Sequence, residues 1–452
     1  LCAASGALER AWWGPLICHR EGLVDNGERP YPALERITRY ASVEGDLGDL
    51  RVRPALHALR AFAGLVPGAR YEGRLNSSEG LEVHAFRTTE RLLHVVWTIN
   101  GRAAALDDLY APEDVAAAGF RDRDGEPEPP GDAPRMLLGE SPRYLSWPAG
   151  REVAVKAGAA LLPDLVIARH APGLKYFLFR EGNWQGVIAA ASAQEADVLL
   201  QSIHPERLAA PSREASLRHA RNAIWAIPDP RRGDARLVIK QPVTMHLHKR
   251  LFDRFKPSKA LRSWNGTNEL LRRGVAAAAP VACFEWRGDR TLMRNFYVCE
   301  HVPAEWTARE MVAAFAGGAP LFAGVPETDA YRQLAAYLLR MHGGGILFRD
   351  LSGGNILIGN PEPGQLSFAL IDTGRIRVFP VPLALAQRFD DLLRICNKLH
   401  PAGREQFLRI YLAAIRSRPR FWHRLPFLLY DFKVWAKRRF GRKAIKKLFG
   451  RR

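Results

Sequence analysis

Hydrophobic and polar positions divide the chain into zones of different period. The run from Pro54 to Leu65 repeats its apolar residues at helical spacing, and Tyr31-Pro32-Ala33-Leu34 opens a similar run earlier. Residues 67–150 change to strand composition. Leu81–Phe86 and Leu92–Trp97 predict strands, Asn100-Gly101 a turn, and short strands are expected around Gly119–Arg121 and Met136–Leu145. The stretch from Asp124 to Gly131 predicts a loop, so the zone reads as a small antiparallel sheet or sandwich. Residues 151–204 carry no clear signal and read as a connector. Residues 205–452 mix strands and then helices. In that last zone Asn222–Ile227 and Arg236–Lys240 predict a hairpin around Arg231–Asp234. Strands are expected at Val281–Trp286 and Asn295–Cys299, and a helix ends at Gly274. The longest apolar stretch, Val275 to Trp286, has twelve residues, too few to span a bilayer.

The 452 residues, 47% hydrophobic and 25% charged, suit a multidomain globular chain rather than a disordered one. Sixty-six Lys and Arg against 47 Asp and Glu give a net charge of +19, which favours an anionic partner: nucleic acid, a phospholipid surface or a phosphorylated substrate. The five cysteines are scattered without a Cys-x-x-Cys pair, which argues against a disulfide framework or zinc site and fits a reducing compartment. A start at Leu1 inside apparently ordered sequence is read as the edge of a longer protein.

The chemistry concentrates between His342 and Arg377. Arg349-Asp350-Leu351-Ser352-Gly353-Gly354-Asn355 precedes an apolar strand, and Asp372 of Asp372-Thr373-Gly374 follows Asn355 by seventeen residues at the end of another. Alone, the first string reads as a salt-bridged loop and the second as a turn. Their order, spacing and strand context resemble the catalytic loop and metal-binding aspartate of the protein-kinase fold, with Phe348 where that fold usually has His. Phosphoryl transfer needs a carboxylate at the acceptor hydroxyl and hard oxygen ligands for a metal on the phosphates. Asp350 suits the first role; Asn355 and Asp372 suit the second. Upstream, Val238-Ile239-Lys240 resembles the strand lysine that grips phosphates, with Glu269 expected as its ion-pair partner. Glu300-His301-Val302-Pro303 is expected to be the hinge beside the adenine, with Glu300 and Val302 binding nucleotide. No Gly-x-Gly-x-x-Gly precedes Lys240, and Ser216–Trp225 contains no glycine, so backbone donors for phosphate are harder to aim.

The assembled pattern resembles the lipopolysaccharide kinase (Kdo/heptose kinase) family over about residues 205–452. The similarity rests on the Val-Ile-Lys strand, on Asn268–Val275 running into Pro280, on the Arg-Asp-Leu loop and on Ile371-Asp372-Thr373-Gly374-Arg375-Ile376-Arg377. The resemblance implies ATP and Mg2+, with transfer to a sugar hydroxyl of a membrane-bound lipopolysaccharide or lipid A precursor glycolipid. Lys240, Glu269 and Asp350 would then be catalytic, and Arg375 and Arg377 would contact anionic substrate. It also implies a peripheral place at the inner face of the cytoplasmic membrane. The alternatives are a nucleotide-binding pseudokinase or membrane-docked scaffold, suggested by the glycine-free lid and Phe348, and a protein Ser/Thr kinase, against which the missing Ala-Pro-Glu string counts. From Phe432 to Arg452 ten Lys and Arg occur with no acidic residue, interleaved with Trp435 and Phe440, which reads as a helix lying on an anionic membrane surface or else as a solvated basic tail. No nucleic-acid-binding signature accompanies the charge, so no nucleic-acid partner is expected.

Residues 1–66 resemble the last barrel unit of a glycoside hydrolase in Trp12–Ile17, Glu21–Asp25 and Arg29–Leu34, and residues 67–150 the β-sandwich that follows such TIM barrels. The barrel carboxylates would lie before Leu1, so no glycosidase activity is expected, and Glu21 reads as a loop residue. The expected fold class is therefore multidomain: a small all-β antiparallel sandwich with a TIM-barrel remnant, then an α+β protein-kinase-like domain of two lobes. Asp122-Arg123-Asp124-Gly125 reads as a turn rather than a calcium loop, because Ala133 stands where a bidentate glutamate is needed. His246 and His248 lack a third ligand and are expected to face solvent or phosphate. Trp264 is expected in the core.

Overall fold

The computed structural model describes residues 16–17, 22–25, 50–76, 78–129, 131–162, 164–168, 173–245, 255–418 and 420–448, with side chains to 440. The chain divides into two compact units, Leu1–Leu165 with Lys175–Leu178, and Val166–Leu174 with Phe179–Arg452.

In the first unit the helix Pro54–Leu65 forms where the apolar period places it, with Pro54 at the tolerated first position. Five antiparallel strands follow in the order Arg70–Arg74, Leu81–Arg87, Arg91–Thr98, Arg143–Pro148, Gly119–Arg121. Alternation along the third strand sends Leu93 and Val95 into a cluster with Ala61 of the helix. His94 points to the other face, where it meets Tyr110 and Trp147. The second layer expected of a sandwich is much reduced: a two-residue ladder, Ala104–Ala105 with Leu137–Leu138, beside the short helices Leu106–Leu109 and Pro112–Ala117. Asp122 Oδ1 accepts from the backbone N–H groups of Asp124 and Glu126 at 2.9 Å, closing the turn that the sequence predicts. The hydrolase-like strings Trp12–Gly14 and Arg29–Leu34, together with Glu21, lie outside the described residues, as do His246 and His248.

Burial pushes the His94 imidazole down to about 4, with its Nδ1 3.1 Å from the Tyr110 hydroxyl. The unfolded chain therefore binds a proton in a pH range where the folded one does not. The stabilisation from neutral His94 is present above the ordinary value of 6.5 and is lost as pH falls from there towards 4, by about 3 kcal/mol in all. Hydrogen-exchange protection of the Leu93 and Val95 amides, corrected for intrinsic rates, should fall across that window, and His94→Phe should remove the dependence. Unchanged protection at both ends would refute it.

The second unit includes Val166–Leu174 and Phe179 onward, residues that fall inside the segment expected to be a connector. Trp184–Ala190 pairs antiparallel with Pro280–Trp286, and the helix Ala193–Ile203 is capped by Ser192, whose hydroxyl accepts from Glu195 N–H. The signal was present as two apolar runs flanking Gly182-Asn183. The sheet order is Lys175–Glu181, Trp184–Ala190, Pro280–Trp286, Asn295–Glu300, Arg232–Pro242, Asn222–Asp229, Arg218–His219. The predicted hairpin is its second half, with Lys240 opposite Ile224 on one side and Tyr297 on the other. The helix Lys259–Arg272 packs on one face of this sheet through Thr267, whose Oγ1 lies 2.9 Å from the Tyr297 hydroxyl. Trp264 is fully buried and donates to Val166 O, in the core as expected.

Helices Ala308–Ala316, Glu327–Gly343, Leu385–Cys396, Pro401–Ala414 and Leu425–Leu448 make the remainder, around a core that includes Leu334, Leu338, Phe348, Leu392 and Phe407. The hairpin Ile356–Glu362 and Gln365–Leu370 emerges from that core. The unit is thus α+β, compatible with the two-part arrangement expected. Among the described residues no helix is long and apolar enough to cross a membrane.

Candidate functional site

Four segments converge. The strand Arg232–Pro242 delivers Lys240, whose Nζ lies 2.5 Å from Asp372 Oδ1. Burial opposes ionisation of Asp372, but the Lys240 ammonium, helped by Arg375 and Arg218, holds its carboxyl below the usual carboxylate range. Arg218 comes from the glycine-free lid, which is a short hairpin: Arg218–His219 pairs with Ala223–Ile224, and Ala220 N–H donates to Asn222 O. The lid therefore brings a guanidinium towards the site where backbone donors were missing.

Asp372 has φ +60°, a left-handed conformation that costs a non-glycine residue of order 1 kcal/mol. Its neighbour Thr373 holds it there. Thr373 Oγ1 donates to Ser263 O at 2.9 Å and meets Thr267 Oγ1 at 2.8 Å. A Cβ on Gly266 would stand 2.3 Å from Thr373 O, so the helix approaches this closely only with glycine there.

The loop 348–355 is set from beneath by a residue that sequence reasoning missed. Asp391, buried in the helix Leu385–Cys396, accepts the backbone N–H groups of Phe348 and Arg349 at 2.7 Å each. Its other neighbour is His342, whose imidazole burial pushes down despite the carboxylate, and whose Nδ1 lies 2.6 Å from the Tyr411 hydroxyl. Arg349 is held at φ +68° by this clamp. Phe348 fills the core, and its N–H rather than its side chain serves the loop. A Cβ on Gly353 would meet Arg309 N at 2.8 Å, which accounts for glycine there.

Asn355 Nδ2 donates to Asp350 O at 2.9 Å, and Ile371 N–H donates to Asn355 O at 3.0 Å. Asp350, Asn355 and Asp372 are thereby brought together as the spacing predicts. With its amide N–H engaged, Asn355 keeps its side-chain oxygen as an acceptor. That oxygen and the Asp372 carboxylate are hard donors of the kind Mg2+ takes in preference to a soft metal. Among the described residues no three His, Cys, Asp or Glu side chains gather as a metal cluster, so such an ion would draw further ligands from phosphate and water. Asp350 itself is bridged by Arg375 Nη1 at 3.0 Å and by Arg394.

Glu269 does not join Lys240. Its carboxylate bonds Arg272 at 3.0 Å and Arg273, one turn further along the same helix. The reason is helical phase: Ser263, Gly266 and Thr267 face the Asp-Thr-Gly turn, and Glu269 lies round the helix from them. Asp372 takes its place beside the lysine. At the expected hinge Glu300 Oε1 is 3.3 Å from Arg231 Nη2, and Val302 O accepts from Ala304 N–H at 2.8 Å. Arg377 pairs with Leu347 in a two-residue ladder beside the loop. Burial, followed by the charges of Arg377 and Arg375, pushes the Arg349 guanidinium down.

No protein-family model matches the chain, and no curated protein is similar to it in sequence. Among solved structures it is similar to WaaP in complex with acyl carrier protein, at 16% identity and a TM-score of 0.36, over 54% of this chain and 91% of that chain.

Proposed function

We propose that the second unit is an ATP-dependent phosphotransferase acting on the hydroxyl of an anionic, membrane-bound glycolipid of the lipopolysaccharide or lipid A type. The observation that carries this is the convergence of Lys240, Asp350, Asn355 and Asp372 from separate segments on one surface, two of them beside residues in left-handed backbone or in it themselves. In this reading Lys240 exchanges Asp372 for the α- and β-phosphates of ATP. Asn355 and Asp372 would hold Mg2+, which supplies positive charge to the phosphates as they separate. Asp350 accepts the proton of the acceptor hydroxyl as its oxygen bonds to the γ-phosphorus, the bond to the β-phosphate oxygen breaks, and ADP departs. Glu300 and Val302 are proposed to flank the adenine, and Arg375 and Arg377 the acceptor. Transfer of labelled γ-phosphate to a Kdo-bearing lipid A precursor, with magnesium and without it, tests the reading.

Membrane contact is proposed through the helix Leu425–Leu448. Its inner side is fixed by Phe427, 2% exposed and packed on Phe389, and by Asp431, which is bonded to Asn397 at 2.6 Å and to Arg404. Leu425, Leu429 and Phe432 lie round the helix from these two, with Leu428 beside them and Trp435 one turn beyond Asp431, each half exposed or more, and Lys433, Lys437 and Arg439 are exposed nearby. An apolar stripe with basic flanks suits an anionic leaflet, each basic residue contributing about 1 kcal/mol. The protein should float with phosphatidylglycerol vesicles and not with phosphatidylcholine alone, and the double variant Leu429→Ser, Trp435→Ser should lose about tenfold in partition. Equal flotation of the variant would exclude this surface.

A further inference from the structure

Two guanidiniums bridge the one carboxylate proposed to act on the acceptor. Arg375 and Arg394 both bridge Asp350, and the charges of Arg377 and Arg375 bear on the neighbouring Arg349. The other carboxylates nearby are already engaged, Asp391 by the loop amides and Asp372 by Lys240. One guanidinium would suffice to hold Asp350 structurally. Moreover, the bridging arginines are open to solvent, Arg375 55% and Arg394 42% exposed, while Asp350 beneath them is 20% exposed. Arg394 comes from the same helix as Asp391, one turn on, so that helix fixes both the loop backbone and the partner of its carboxylate.

We propose that Arg375 and Arg394 form an exchangeable latch on Asp350 and, at the same time, the recognition site for an anionic group next to the acceptor hydroxyl. This rests on Asp350 being the residue that takes the acceptor proton. A carboxylate or phosphate on the acceptor draws the two guanidiniums from Asp350 into charge-assisted, bidentate contacts, and Asp350 is left free to receive the hydroxyl. A neutral acceptor leaves the latch closed. Arg394, 44 residues beyond Asp350 in the chain, thereby becomes a specificity residue that no local motif contains.

The test uses the full chain, the Kdo-bearing lipid A precursor, its sugar-carboxylate methyl ester and its phosphate-free analogue. Equilibrium binding is measured in detergent micelles, and turnover in parallel. For the wild type, the analogue that lacks the recognised anion should bind about tenfold more weakly, which tells carboxylate from phosphate. Arg394→Gln should bind the parent glycolipid about tenfold more weakly, raise KM more than it lowers kcat, and treat parent and analogue alike; Arg394→Lys should recover part of the difference. A general structural defect would instead weaken all three ligands equally, and that outcome, or unchanged discrimination in Arg394→Gln, overturns the proposal. Discrimination in binding with no turnover of any ligand would overturn the phosphotransfer reading and leave the anion site standing.

Discussion

Asp350→Ala is expected to lower the proposed phosphoryl transfer by about a thousandfold, the usual worth of a positioned general base, and to leave the fold in place. The expected stability change is small because the side chain's ion-pair partners, Arg375 and Arg394, are both exposed, and such pairs add little. The loop stays in position because Asp391 and Asn355 hold its backbone, and only the Asp350 carbonyl, which alanine retains, joins Asn355. Asp350→Asn should lose nearly as much turnover, since an amide oxygen cannot take the acceptor proton. Circular dichroism and ATP binding should match wild type in both variants. Retention of a tenth or more of the rate would remove Asp350 from the mechanism.

Asp391→Ala is expected to have the larger effect on stability, about 3 kcal/mol or more, together with loss of turnover. It leaves two backbone N–H groups without their acceptor, a buried one at Phe348 and a part-buried one at Arg349, at about 1–3 kcal/mol for the buried one and less for the other. It also takes the carboxylate from beside His342, where both side chains are fully buried. Asp391→Asn keeps one acceptor oxygen and should fall between wild type and Ala in the urea midpoint. In both variants kcat should fall more than the ATP affinity, because the loop and not the Lys240 strand loses its support. If Asp391→Ala unfolds at the wild-type midpoint, the clamp is not what holds the loop.

Local signals made much of this site readable from the sequence. Lys240 ends an apolar strand after a hairpin turn, and Asp350, Asn355 and Asp372 sit in strings whose spacing is fixed by the loop and the hairpin between them. Those features depend on neighbours within about twenty residues, so the sequence carries them directly. Glu269 shows the opposite case. It is the one carboxylate in the Lys259–Arg272 helix, but the phase set by Ser263, Gly266 and Thr267 turns it away, and the arginines three and four residues on neutralise it. Reading the helical period against the Thr373 turn would have shown this.

Asp391 and Arg394 were missed because their partners are more than forty residues distant. One signal was available: Asp391 interrupts the apolar stripe of Phe389, Leu392 and Ile395, and a carboxylate on a buried face needs donors. The hairpin Lys175–Ala190 was missed for a different reason. Its strands are seven residues each and largely apolar, but their place in the sheet depends on pairing with Pro280–Trp286 nearly a hundred residues on. In the first unit the strands were legible from alternation, whereas the thinness of the second layer was not, since two-residue ladders leave no period to read.

The most direct test of the central claim follows γ-labelled ATP into a Kdo-bearing lipid A precursor on anionic vesicles, using the full chain and its Asp350→Ala variant. Label in the lipid fraction with magnesium, absent with chelator and absent in the variant, is the expected result. Label carried equally by both proteins, or ATP bound by neither while both remain folded, would contradict the assignment of this site to phosphoryl transfer.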